Sequence, residues 1–204
     1  MDADRLPGAA PPRALTATAD PYAQWWDYAQ QIARTLWAGI PLPSINVYGP
    51  VLDAGERAYL SSEATYSRYT AGNASYHPVN FVVLGRLAVT AAALAVQGAV
   101  NHRRKTAARR AAAPAWRGGR EVHVVLTNER LLANTTSGWT AFWHTTIREF
   151  YVDLQYWTMT VGFGHQYSPV SFTGPCVPAI SVVTAQRLYG DQWSADPRLT
   201  PLLD

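Results

Sequence analysis

The stretch at residues 122–132, VHVVLTNERLL, decides the fold of this 204-residue chain. Apolar side chains occupy every second position from 122 to 126, which is the period of a strand in a sheet. Thr127 and Asn128 favour a tight turn because their side chains hydrogen bond to nearby backbone groups. The chain then returns along residues 130–135, so the stretch predicts a β-hairpin.

Short alternating segments continue this pattern after the hairpin. They cover residues 139–143, 147–154, 156–163 and 170–172. The alternation puts Trp139 and Trp143 on one strand face and Trp157 on the apolar face of a later strand, and we expect all three in the core. Strands about 8–12 residues apart, with turn residues between them, are typical of an antiparallel meander, a sandwich or a barrel.

Helices are predicted on both sides of this β region. Residues 21–39 carry apolar side chains at the spacing of one helix face, with a proline at the start and a glycine at the end. Residues 176–189 show the same spacing, and Gly190 follows as a stop. Residues 1–20, rich in Ala, Pro and Asp, are expected to be a disordered arm, and residues 191–204 a C-terminal tail.

The hairpin stretch looks like the strand–turn–strand motif of bacterial pleckstrin-homology-like and GRAM-like domains. The segment from Leu52 to Gly55 and Glu56 is similar to the opening of such domains, and residues 171–175 resemble their last strand and the start of their capping helix. The resemblance covers residues 46–190. It implies an α+β fold, with a PH-like antiparallel β-barrel or curved sheet and a C-terminal capping helix.

About forty residues, 78–118, interrupt the early strands and have no counterpart in that family outline. We expect a long inserted amphipathic helix there, because Arg86, Gln97 and Arg104 fall close to one line on a helix and an apolar line lies opposite. The alternative is a single membrane-spanning helix at 79–100, since the apolar run is about 20 residues long and a basic cluster follows it.

The formal net charge of +3 conceals a strong asymmetry. Residues 64–120 hold nine basic residues and no acidic one, so the rest of the chain is acidic on balance. Five of these cations form the predicted binding surface: Arg103, Arg104, Lys105, Arg109 and Arg110. Such a cluster suits anionic lipid headgroups or an acidic partner protein, while nucleic acid is disfavoured because few aromatic residues lie among the cations. The other interpretation is a solvated extension of the inserted helix.

Adjacent tryptophans in the N-terminal helix provide a second candidate surface. Trp25 and Trp26 cannot both face one core, so we expect Trp25 to point inward. Trp26 then lies either at the rim of the packed face or in an exposed aromatic patch that binds a partner protein or a second copy of the chain.

No catalytic motif accompanies these features. The sequence lacks an HExxH zinc motif, a nucleotide-binding glycine loop and a GxSxG nucleophile elbow, and we predict no cofactor and no metal. The enzyme alternative is a hydrolase that uses Cys176 with a nearby histidine. The structural interpretation is that Cys176 lies at the start of the last helix as a small apolar residue.

These observations favour a non-enzymatic binding or adaptor module that acts through contacts with protein or with an anionic membrane surface. Only 15% of the residues are charged, which is low for a globular chain. The single cysteine cannot form an internal disulfide, so we expect a cytoplasmic protein that associates with the membrane periphery at most.

Overall fold

The computed structural model describes residues 20–70, 113–165 and 167–204. The predicted arm lies outside these ranges except for Asp20, and so does most of the predicted insert at 78–118. The chain divides into two compact units, one formed by Met1–Arg68 with Gly118–Asp204 and the other by Tyr69–Arg117.

Seven strands form one open antiparallel sheet. In chain order they are β1 Ala58–Thr70, β2 Ala115–Thr127, β3 Arg130–Thr135, β4 Gly138–Trp143, β5 Glu149–Asp153, β6 Thr158–Gly162 and β7 Val170–Thr173. Across the sheet the order is β4-β3-β2-β1-β7-β6-β5, which puts β1 at the centre. The predicted hairpin is confirmed, with Val125 opposite Leu132, and so are the α+β class and the antiparallel sheet.

Helix α2, Val177–Tyr189, follows the last strand as predicted. Every residue from Val177 to Ala185 is buried, although the sequence predicted only an inner stripe. A helix that is covered on all sides needs apolar residues around its whole circumference, and α2 is covered because a second helix packs on it.

That second helix is α1, Pro21–Trp37. The Asp20 carboxylate accepts the backbone N–H of Tyr22 at 2.9 Å and caps the helix. The helix ends at Trp37, two residues before the end of the predicted segment, and Gly39 follows with a φ of +69°, in the left-handed region that glycine adopts without steric cost. Its buried face consists of Trp25, Tyr28, Ala29, Ile32 and Ala33.

The main core lies between the inner sheet face and the two helices. Phe172 of β7 is fully buried at its centre, and the rings of Tyr66 and Phe142 pack against it with centroids 5.5 and 5.7 Å away. Aromatic side chains from three strands thus pack together on the inner face of the sheet, with large apolar contact areas.

A smaller apolar cluster covers the outer sheet face at β1–β3. Ala58, Val125 and Leu132 are buried there under the loop that precedes β1. Gly49, at φ +108°, lies so close to the Trp139 ring that a Cβ atom would meet Cζ2 at 3.1 Å. The loop before β1 is therefore packed against the outer face of the sheet.

The expectation of three core tryptophans was wrong. Trp139 and Trp143 are half-buried on the outer face of β4, while Phe142 between them enters the core. Trp157 is also half-buried, because it forms the turn before β6 with φ +53° and contacts α1 instead of the core. Strand alternation defines two faces but does not say which face is covered.

The predicted C-terminal tail is instead a packed segment with two 3₁₀ helices, Gly190–Ala195 and Thr200–Leu202. Its Trp193, Leu199 and Leu202 side chains belong to the main core. The side chain of Arg34 donates a hydrogen bond to the backbone oxygen of Asp204 at 3.1 Å, so the chain end is fastened to α1.

The predicted insert boundary is also corrected by the structure, because β2 begins at Ala115, inside the predicted range. Within the second unit, the described residues are the end of β1 and the start of β2. Tyr69 and Trp116 contact each other there, with ring centroids 5.4 Å apart.

Candidate functional site

Two segments that carry the family resemblance, Leu52–Glu56 and the hairpin, are joined by a buried ion pair. The Arg130 guanidinium donates from Nε to Oε1 of Glu56 at 2.9 Å and from Nη2 to Oε2 at 2.8 Å. The Glu56 side chain has no exposed surface and that of Arg130 is only 11% exposed. The guanidinium also lies over the Trp143 ring, 4.4 Å from its centre.

Further hydrogen bonds complete this cluster. Thr127 Oγ1 donates to Glu56 Oε1 at 2.7 Å, and the backbone N–H of Asp53 donates to Oε2 at 2.8 Å. Burial acts to raise the pKa of Glu56, but the hydrogen bonds from Arg130, Asp53 and Thr127 outweigh it and hold the pKa below its ordinary value. The cluster fixes the loop to the hairpin, and this is a structural role.

A groove opens between the end of α1 and the outer side of α2. Its apolar lining comes from Leu36, Leu42 and Val183, and its polar lining includes Arg57, Tyr59, Gln186, Arg187 and Asp191. The groove thus combines a few apolar side chains with charged and polar ones.

Exposed apolar residues lie beside this groove. Ile40 lines it and is about half exposed. Trp37 follows the lining residue Leu36 in the chain but does not itself line the groove, and it is 64% exposed at the last position of α1. Exposed large apolar side chains next to a groove are typical of interaction sites.

Trp26, the predicted second surface, lies elsewhere and is half-buried. Its ring packs against the edge of Trp157 at 5.6 Å, and it contacts the main core. Trp26 therefore lies at the rim of the packed helix face, and the exposed tryptophan of α1 is Trp37. The two are eleven residues apart, on nearly the same line of the helix, but Trp157 covers only Trp26.

Arg187 supplies an oriented cation on the α2 side of the groove. Its guanidinium donates to the Tyr59 hydroxyl at 3.0 Å and lies 5.8 Å from the centre of that ring. Arg57 supplies a second, exposed cation and Asp191 an anion. The charged lining is therefore positive on balance, and aromatic and arginine side chains are the residue types that dominate protein-binding energetics.

A polar chain of side chains on β1 and β2 was not predicted from the sequence. The Ser61 hydroxyl lies 2.9 Å from Nε2 of His123, and Nδ1 of the same ring lies 2.7 Å from Oε1 of Glu63. Ser61 and Glu63 share a face because they are two apart in β1, and β2 is the neighbouring strand. The only available sequence signal was alternation in both strands, which does not give the register.

Cys176 has the properties of a structural residue. It is fully buried, and its thiol donates a hydrogen bond to the backbone oxygen of Glu63 at 3.3 Å. Burial raises its pKa to about 12, so the reactive thiolate is suppressed at neutral pH. A buried thiol with a raised pKa does not suit the nucleophile of a hydrolase.

The five basic residues of the predicted surface, Arg103, Arg104, Lys105, Arg109 and Arg110, lie outside the described part of the chain. The alternative spanning segment at 79–100 does so as well. Among the helices at 20–70 and 113–204, none has the length and apolar character needed to cross a membrane. The same described residues contain no group of three or more His, Cys, Asp or Glu side chains that could hold a metal ion.

Comparison of the chain with family models, with curated proteins and with solved structures finds no match.

Proposed function

We propose that this protein is a binding module with a PH-like, GRAM-like architecture, and that it recognises a partner protein in the groove between α1 and α2. The fold supports this proposal in two respects. A seven-stranded antiparallel sheet is followed directly by a buried helix, and the two segments that resemble the family are joined by the Glu56–Arg130 pair.

The character of the groove defines the partner. Leu36, Ile40 and Leu42 offer an apolar surface, while Arg57 and Arg187 favour a carboxylate over an ammonium group. The exposed Ile40 side chain in the groove lining is the observation that carries the proposal, because burying it against a partner removes apolar area from water. We therefore expect a partner segment with a large apolar residue close to Asp or Glu.

Selection from a library of random 12-residue peptides tests this expectation. Peptides enriched on the wild-type protein should combine a large apolar residue with an acidic one, and they should lose at least tenfold in affinity for Ile40→Ser. The matched control is Tyr156→Ser, because Tyr156 is an exposed aromatic outside the groove lining. Enriched peptides that bind both variants as well as the wild type would contradict the groove proposal.

The charge asymmetry favours a second candidate function, peripheral binding to anionic membranes. Each cation close to such a surface contributes about 1 kcal/mol, so the five predicted basic residues would suffice for measurable attachment. Flotation with vesicles of neutral lipid and of neutral lipid plus phosphatidylserine tests it. Binding to the anionic vesicles alone, lost when the five cations are replaced by Gln, supports attachment, and binding that survives the replacement contradicts it. The single cysteine agrees with an intracellular location for either function.

A further inference from the structure

We propose that Ser61 is an activated nucleophile that reacts with small carboxylic esters. His123 is its general base, and Glu63 positions the His123 ring and stabilises its protonated form. This inference is independent of the groove. It is based on the two short contacts that His123 makes, one through each ring nitrogen.

The contacts define the proton positions. An ionised Glu63 carboxylate can only accept a hydrogen bond, so Nδ1 of the neutral His123 ring must carry the proton. Nε2 is then an acceptor, and the Ser61 hydroxyl donates to it at 2.9 Å. This is the arrangement of nucleophile, base and orienting carboxylate that serine hydrolases share across unrelated folds.

The three groups are accessible to a small molecule. The side chain of His123 is 37% exposed and that of Glu63 53%, and Ser61 is half-buried. Trp139 lies edge-on to the imidazole with ring centroids 5.9 Å apart, which gives an incoming acyl group an apolar wall beside the nucleophile.

The chemistry of the step balances with these groups alone. Ser61 Oγ forms a bond to the ester carbonyl carbon while its proton passes to Nε2 of His123, and the bond to the leaving alkoxide breaks. The imidazolium then protonates the alkoxide, and water repeats the sequence to release the acid and restore Ser61. Glu63 stabilises the imidazolium charge in both halves.

The sheet also limits the rate. Ser61 lies in β1, and the backbone N–H of a strand residue lies in the plane of the sheet and is not directed toward an oxyanion above it. Loss of one oxyanion-hole donor lowers kcat by about 10²–10³ in serine hydrolases. We therefore expect slow turnover of activated esters, with a contribution from the base of about 10²–10⁴.

A fluorophosphonate probe and p-nitrophenyl acetate test the proposal on the full chain. The serine oxygen displaces fluoride from phosphorus, and peptide mapping should find the added mass on Ser61. Ser61→Ala should abolish labelling, and His123→Gln should lower the rate at least a hundredfold. The control Ser67→Ala, six residues along the same strand and on the same face, should react like the wild type.

Glu63→Gln separates positioning from a merely structural role. We expect the labelling rate to fall about tenfold while the thermal midpoint is unchanged, since Glu63 is largely exposed. Labelling of the wild type no faster than that of Ser61→Ala, or an adduct that maps to another residue, would overturn the assignment.

Discussion

Replacing Arg130 with Met removes one half of the buried ion pair and leaves the other half in place. The Glu56 carboxylate would then be ionised without exposure to water and with only Thr127 and the Asp53 N–H as donors. Removal of one partner from a buried pair costs about 3–5 kcal/mol. The lost contact with the Trp143 ring adds about 0.5–1 kcal/mol.

The pH dependence of this cost has a defined sign. In the wild type the Glu56 pKa is lower in the folded than in the unfolded chain, so its stabilisation is fully present above the unfolded pKa of about 4.3 and is lost as pH falls through the folded pKa. In Arg130→Met, burial is no longer outweighed and the Glu56 pKa rises. The difference in unfolding free energy between the wild type and the variant should therefore become smaller as the pH is lowered from 7 to 4.

Urea unfolding followed by tryptophan fluorescence measures both effects. Arg57→Met is the control, because Arg57 is the exposed neighbour of Glu56, and it should cost less than about 0.5 kcal/mol. The double variant Glu56→Gln with Arg130→Met should lose clearly less than the sum of the single losses. A loss below about 1 kcal/mol for Arg130→Met, or strict additivity, would refute the role of the pair.

Three further outcomes follow from single sites. Gly49→Ala should lose more unfolding free energy than Gly55→Ala, because both have positive φ but only Gly49 lies against the Trp139 ring; equal losses would show that the loop does not pack on the sheet. Cys176 should resist a thiol reagent such as DTNB in the folded protein and react on denaturation, since it is buried with a raised pKa; rapid reaction in the native state would contradict its burial. Burial, assisted by the nearby Arg187 charge, lowers the pKa of His144 to about 4. The unfolded chain therefore binds more protons than the folded chain between about pH 6.5 and 4. Between pH 7 and pH 4.5 the wild type should lose about 2 kcal/mol more unfolding free energy than His144→Gln.

The hairpin and the two helices were predictable because they depend on local signals. Alternation and turn residues in the 122–132 stretch define β2, β3 and their connection, and the proline at the start of α1 and the glycines after each helix mark where the helices begin and end. These signals act over a few residues, so no knowledge of distant partners is needed.

The faces of the strands were not predictable in the same way. Trp139 and Phe142 have similar apolar character, and the choice between them depends on where the helices and the 40–56 loop pack. The prediction of a C-terminal tail was wrong for a related reason. Trp193 and Leu202 lie among prolines and polar residues, and only the tertiary contacts with the main core explain their burial.

The candidate sites likewise depend on tertiary contacts that local sequence patterns do not determine. Trp26 and Trp37 are equivalent by helical periodicity, and only the position of Trp157 distinguishes them. The Ser61–His123 pair is separated by 62 residues, so it exists only because β1 and β2 are neighbours in a particular register. Strand register is determined by the whole sheet, which a single sequence pattern does not contain.

Photo-crosslinking from position 37 tests the proposed binding function most directly. Benzoylphenylalanine replaces Trp37, which follows the groove residue Leu36 in the chain, or, as a control, Tyr156, which is similarly exposed, in cells that make the protein naturally. We predict one discrete adduct with a partner protein from position 37, absent from position 156 and lost when Ile40→Ser is added. No adduct from position 37, or the same adducts from both positions, would contradict recognition in the groove between α1 and α2.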